Sequence, residues 1–170
     1  MTLYGIITDR NQLLSLINVD GIDTFKQVVN QTYGYTVVEG KKTYLKGDEL
    51  DDAINSAVLF DEISFDYSSI NLMGVTFVDT QTAYKIKVSD ALTVYYSTET
   101  GLKLKHERSV KEKRKTITTE YFYSNYQFVE GILVPMSINM VSPSIPIPGG
   151  INFNAKSIKF NVQTSDSDFE

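Results

Sequence analysis

A chain of 170 residues with 16 basic and 21 acidic side chains, for a formal charge of −5, has the length of one domain able to bury a sizeable core. That balance excludes the broad cationic footprint that phosphate neutralisation requires, so nucleic acid is not an expected partner. The absence of cysteine excludes disulfides, thiolate metal ligands and cysteine nucleophiles. No apolar run approaches the roughly 20 residues that a membrane-spanning helix needs, and the start MTLYGIITDRNQ lacks the basic region and apolar core of a signal peptide.

In chain order, residues 3–45 are rich in β-branched and aromatic side chains, with turn signals at Asp9-Arg10-Asn11, Asp20-Gly21 and Gly40, which favours short strands. Periodicity leaves a helical alternative open. Leu13, Leu14, Leu16 and Ile17, and likewise Ile22, Phe25, Val28 and Val29, could each line one helix face. A helix is predicted from Asp48, where Leu50, Ala53, Ile54, Ala57 and Val58 follow the i, i+3, i+4, i+7, i+8 spacing of one apolar stripe. Asp48 is placed to cap its free N–H groups, and Glu49, Asp51 and Asp52 complement the positive end of the dipole. The stripe must lie on something apolar, and a sheet is the only large partner this sequence supplies.

From Asn71 the chain becomes a run of strands: NLMGVTFVD, TAYKIKVS, LTVYYST, GLKLKHERS and RKTITTEYFYS. Tyr84, Ile86 and Val88 alternate with Lys85 and Lys87, and Leu102 and Leu104 alternate with Lys103 and Lys105, so one face is wet and one covered. Short turns such as Thr100-Gly101 make successive strands antiparallel neighbours, which points to a large curved meander. The stretch EYFYSNYQFVEGILVPMSINM, Glu120 to Met140, reads as two strands turning at Glu130-Gly131, with Ile132, Val134, Met136, Ile138 and Met140 on one face. SPSIPIPGG, residues 142–150, holds three of the four prolines and is a loop. A last strand is expected from about Phe153 to Val162, with Ile158, Phe160 and Val162 on one face, before the polar tail SDSDFE.

YSNYQFVEGILVP, together with DTFKQVVNQTYGYTVVEGKKTYLKGDEL, resembles LolA/LolB-like (outer-membrane lipoprotein carrier-like) domains, in particular the version at the C-terminus of insulinase-type (pitrilysin family) zinc peptidases of Bacteroidetes. The likeness runs through most of residues 24–170 as an ordered series of motifs. It implies a mainly β (α+β) fold, a single large curved antiparallel sheet or half-barrel with one or two helices on its concave face, and it turns residues 3–45 toward strands. It also implies that residues 1–170 form a single LolA-like domain, a fragment of a longer zinc-peptidase-related chain, because such domains open with an amphipathic helix that has no counterpart before Leu3. A periplasmic or cell-envelope location follows from the same likeness.

Chemistry is sparse. An insulinase-type hydrolase needs HxxEH to hold zinc and activate water, and the only histidine here is His106, with Glu107 expected on the other side of its strand. His106 reads as half-buried or hydrogen-bonded at the end of the Leu102, Leu104 row. The acidic residues at 48–52 suit a solvated helix start, and neither they nor Asp61-Glu62 form a metal or catalytic motif. No GxSxG, GxxxxGK[ST] or GxGxxG occurs. KEKRK, residues 111–115, is first a solvated hairpin tip and second a contact for an anionic membrane surface or a partner protein. Tyr121, Phe122, Tyr123, Tyr126 and Phe128 offer a stacking platform, against which the acidic net charge argues where nucleic acid is concerned.

A large curved sheet with few helices has more apolar inner face than one short helix covers, which is the physical basis for a ligand cavity. LolA-like carriers, by resemblance, hold acyl chains there, gaining about 0.8 kcal/mol per buried CH₂. The candidate lining is Val94, Tyr96, Leu102, Leu104, Met136, Ile138, Met140 and Phe160, which are also the residues a filled core would use. The expected role is therefore a non-catalytic lipid- or lipoprotein-binding or accessory domain of a zinc peptidase, with no cofactor. The alternative is a protein-interaction module with a filled core that positions substrate or partner for the peptidase.

Overall fold

The computed structural model describes all residues except 1, 9, 11, 58, 59, 113, 114, 146 and 170, and leaves aside the side chains of 2, 19, 48, 52, 55, 56, 64, 112 and 166. It is mainly β, with twelve strands, one α-helix and two short 3-10 turns among the described residues. All pairings are antiparallel, and the strands are divided between two open sheets rather than gathered in one. Contacts divide the chain into two compact units, residues 1–64 with 163–170 and residues 65–162.

The first unit holds a five-stranded meander of β1 (Thr2–Ile7), β2 (Leu13–Val19), β3 (Ile22–Val29), β4 (Gly34–Val38) and β5 (Lys41–Tyr44). The helical alternative for residues 13–29 loses to tight turns. Asp20-Gly21 and Glu39-Gly40 both sit at positive φ, the two-residue geometry whose twist matches flanking antiparallel strands. Those turns fix a register that aligns Ile6, Leu14, Val28 and Tyr35 in one row across four strands. Leu14, Val28 and Tyr35 form a core closed by Phe169, which is 1% exposed and belongs to the 3-10 turn Asp166–Phe169. The Tyr33 hydroxyl donates to the Phe169 carbonyl at 2.9 Å.

Helix α1, Asp48–Ser56, lies near β3 and β4. A Cβ on Gly34 would stand only 3.1 and 3.2 Å from Cδ1 of Leu45 and Leu50, so the missing side chain is what admits them. Ala53 and Ala57 are buried and Leu50 and Ile54 half-buried, as the apolar stripe requires, while Val58 lies outside the described residues. The capping position is Gly47, one residue earlier than the sequence suggests. Its φ of 55° and ψ of −135° favour glycine, and the N–H groups of Leu50 and Asp51 donate to its carbonyl. The side chain of Asp48 lies outside the described residues.

The second unit is a seven-stranded sheet, ordered β12-β11-β10-β9-β8-β7-β6. Its strands are β6 (Asn71–Val78), β7 (Gln81–Lys87), β8 (Leu92–Ser97), β9 (Lys103–Glu112), β10 (Lys115–Val129), β11 (Ile132–Val141) and β12 (Ile151–Asn154). Glu130-Gly131 turns β10 into β11, with Val129 opposite Ile132. Residues 142–145 and 147–150 are a loop, as expected of this proline-rich stretch. The last strand is a correction. It ends at Asn154; the Ala155 N–H donates to the Met136 carbonyl, a bend follows, and Asn161 takes a left-handed φ of 53°. Alternating apolar residues describe where side chains point, and Ile158, Phe160 and Val162 alternate without a partner ladder to hold them as a strand.

Candidate functional site

The registers of the seven-stranded sheet sort its side chains into two chemically distinct faces. On one, cross-strand partners run Ile86, Val94, His106, Tyr121, Met140 and Ile151. Beside this row stand Tyr123, Ile138 and Phe153, and at the other end Val75, Tyr84 and Tyr96. Met136 and Val134 follow Ile138 by two and four residues along β11, so they share this apolar face. Val94 is fully buried and Val134 and Met136 nearly so.

Toward β6 the same face opens to solvent. Leu72, Val75, Phe77 and Tyr84 are 60%, 62%, 70% and 42% exposed, whereas Val78, on the reverse side of the strand, is 7%. An edge strand that turns its large apolar groups outward inverts the usual arrangement, and such patches mark interaction surfaces.

The opposite face is polar. Lys85, Tyr95, Lys105, Phe122, Asn139 and Asn152 are its central row, with Thr93, Glu107 and Glu120 alongside. The Lys105 ammonium bridges Glu107 at 2.7 Å and also Glu120, and lies 5.1 and 5.2 Å from the ring centres of Tyr95 and Phe122. Burial alone would raise the Glu107 carboxyl, but hydrogen bonds from Lys105 and Tyr95 and the Lys105 charge outweigh it and hold the group below its ordinary value. Burial would likewise lower Lys105, yet hydrogen bonds to Glu107 and Glu120 leave it raised. The Tyr95 hydroxyl is pushed well up, first by burial and then by Glu107. Lys105, Glu107, Glu120 and Tyr95 thus satisfy one another in a network of ion pairs and hydrogen bonds.

A bulge redistributes the expected lining. Tyr95 pairs with Lys105 but Tyr96 with Lys103, so Leu104 is an extra residue in β9. It packs in the cluster of Val78, Ala83 and Tyr95, with Phe122 against it, which belongs to the polar side. Val94, Tyr96, Met136, Ile138 and Met140 are therefore brought together on one face, and Leu104 is not among them. Leu102 is half-buried ahead of β9, and Phe160 is half-buried beyond β12. The alternation of Leu102 and Leu104 carries no sign of the bulge, because an inserted residue is visible only once two ladders are in register.

His106 is displaced from the Leu102, Leu104 row for the same reason and stands in the middle of the apolar face, 7% exposed. A 2.7 Å hydrogen bond joins its Nδ1 to the Tyr123 hydroxyl, and its ring lies 4.4 Å from that of Tyr121. Burial raises the Tyr121 hydroxyl, with the Arg108 charge opposing it. Glu107 points to the other face, bound to Lys105, so it does not pair with His106. The aromatic run is split as well. Tyr121 and Tyr123 lie on the apolar face and Phe122, Tyr126 and Phe128 on the polar one, so the five do not form one platform. Among the described residues no group of three or more His, Asp and Glu side chains is placed to hold a metal ion, and no helix is long and apolar enough to cross a membrane.

No protein-family model and no curated protein sequence matches the chain. Two crystal structures share its fold. A DUF1329 family protein from Desulfovibrio piger superposes with a TM-score of 0.61 at 17% identity, over 99% of this chain and 79% of that one. A domain described as an outer membrane lipoprotein-sorting protein domain from Vibrio parahaemolyticus superposes with a TM-score of 0.57 at 13% identity, over 98% of this chain and 79% of that one. The likeness to both is one of fold, a mainly β chain of open antiparallel sheets with few helices.

Proposed function

We propose that this chain is a non-catalytic lipid- or lipoprotein-binding domain of the bacterial envelope, and that acyl chains lie along the apolar face of its seven-stranded sheet. The observation that supports this reading is the continuity of that face. Leu72, Val75, Phe77 and Tyr84 form an exposed apolar margin that runs through Ile86 into buried Val94 and Met136. Burying apolar surface yields about 25 cal/mol per Å², so such a margin favours a chain-like apolar guest over water. Val94, Tyr96, Met136, Ile138 and Met140 would line the site, with Leu104 omitted because it packs on the other side. The resemblance of its motifs to LolA-like domains of zinc peptidases supports an accessory role beside such a peptidase. The chain itself carries no HxxEH, the zinc-holding motif of such a peptidase.

Native mass spectrometry of the purified chain, with lipid analysis of an organic extract, tests the reading. Bound lipid should be released on denaturation, and Val75→Asp with Phe77→Asp should abolish its retention without lowering the melting temperature, because both side chains are exposed. An empty chain that also ignores a fluorescent fatty-acid probe would rule out acyl binding. A second reading, a protein-interaction module, is favoured by one feature. β6 is an edge strand, so the same apolar margin borders an unpaired ladder on which a partner strand could add.

A further inference from the structure

Arg108 lies on the apolar face where β9 and β10 outrun their neighbours. Its cross-strand partners are Leu92 and Thr119, and it falls between His106 and Val110 along the strand. The pairing of β8 starts at Leu92 and that of β11 ends opposite Glu120. Past Arg108 the two long strands therefore continue as a ribbon, with Ile117 opposite Val110 and Thr116 opposite Lys111. Val110, Lys111 and Lys115 are exposed on this ribbon.

Arg108 is half-buried, and among the described residues no carboxylate pairs with it and none accepts a hydrogen bond from its guanidinium. Of the nearby carboxylates, Glu107 and Glu120 are on the opposite face and bound to Lys105, Asp90 pairs with Lys87, and the side chain of Glu112 lies outside the described ones. Arginine is seldom withdrawn from water without an anion, and its planar fork suits a carboxylate or phosphate bidentately. In a chain of net charge −5, the apolar face thus carries a half-buried arginine cation near its end.

We propose that Arg108 binds the anionic headgroup of an acyl amphiphile whose chain lies along Tyr121, Ile138 and Met140, all half-buried. This rests on the acyl-binding reading above. The anion is a carboxylate or phosphate carried by a lipid, and Lys111 and Lys115 raise its local concentration at the ribbon.

Equilibrium dialysis of the full chain against radiolabelled laurate and 1-monolauroylglycerol tests it, since the two share a chain and differ in headgroup charge. Laurate should bind roughly tenfold to a hundredfold more tightly, the range of a charge-assisted hydrogen bond. Arg108→Gln should abolish the preference while leaving monolauroylglycerol binding and the melting temperature unchanged, and Arg108→Lys should keep part of it. Equal affinities in the native chain, or a preference that survives Arg108→Gln, would overturn the headgroup assignment and leave acyl binding standing. Failure of both ligands to bind would remove the acyl reading and the headgroup assignment with it. Acetate binding as tightly as laurate would show a free-anion site to which the chain adds nothing, and would also overturn the proposal.

Discussion

Replacing Phe169 by alanine puts a number on the most unexpected packing in the molecule. The ring is 1% exposed and closes the core of Leu14, Val28 and Tyr35. Transfer of a fully buried phenyl group accounts for about 2 to 3 kcal/mol, and the cavity left in a rigid site brings Phe→Ala to about 3 to 5. The four-residue turn Asp166–Phe169 can relax inward, and any residue it releases regains about 1 to 2 kcal/mol of conformational entropy, so the lower part of the range should apply. The expected loss is about 2 to 4 kcal/mol, measured by guanidinium unfolding followed through tyrosine fluorescence, with faster amide exchange at Leu14 and Val28. Phe169→Leu keeps most of the volume and should cost less than about 1.5 kcal/mol. A Phe169→Ala chain within about 0.5 kcal/mol of native, with exchange unchanged, would refute the assignment of this residue to the core.

Two further predictions concern the interiors of the two sheets. The folded Glu107 carboxyl is held below its ordinary value of 4.5, so it contributes stability above that pH which is lost as pH falls through the folded value. Glu107→Gln should therefore flatten the acid limb of a denaturation-midpoint profile, and superimposable acid limbs would count against the Lys105 network. Lys105, raised above 10.5, contributes below that pH and loses its contribution only as pH climbs through the folded value. Gly34→Ala places a methyl 3.1 and 3.2 Å from Leu45 and Leu50 and 3.3 Å from the Val28 carbonyl, which should cost about 1 to 3 kcal/mol. Gly5→Ala, which meets only the Leu14 carbonyl at 3.6 Å, is the control for thermal melting, and equal midpoints for the two variants would show that α1 does not need Gly34.

Much of the fold is legible because local chemistry and tertiary demand agree. The dipeptides Asp20-Gly21 and Glu130-Gly131 turn strands wherever they occur, and the Leu50, Ala53, Ile54, Ala57 spacing has one helical solution. The candidate site is only half legible. Val94, Tyr96, Met136, Ile138 and Met140 do share a face, since period 2 survives in uninterrupted strands. Leu104 does not, because a single inserted residue moves side chains to the other side without altering the alternation that announces them. Arg108 gave no sequence signal, as its meaning depends on which face it occupies and on where the carboxylates of neighbouring strands point.

The sequence by itself determined the run of strands between Asn71 and Val141, its turns and its antiparallel order, since those depend on residues a few positions apart, but it left residues 13–29 open to a helix and overextended the last strand. It also determined that hydrolysis by HxxEH is out of reach, with one histidine and no cysteine. Tertiary structure alone decided that the strands divide between two sheets, that Phe169 of a polar tail becomes core, and that the apolar margin of β6 faces water. Each of those depends on contacts between distant parts of the chain, where burial is a property of the partner surface rather than of the residue that is buried.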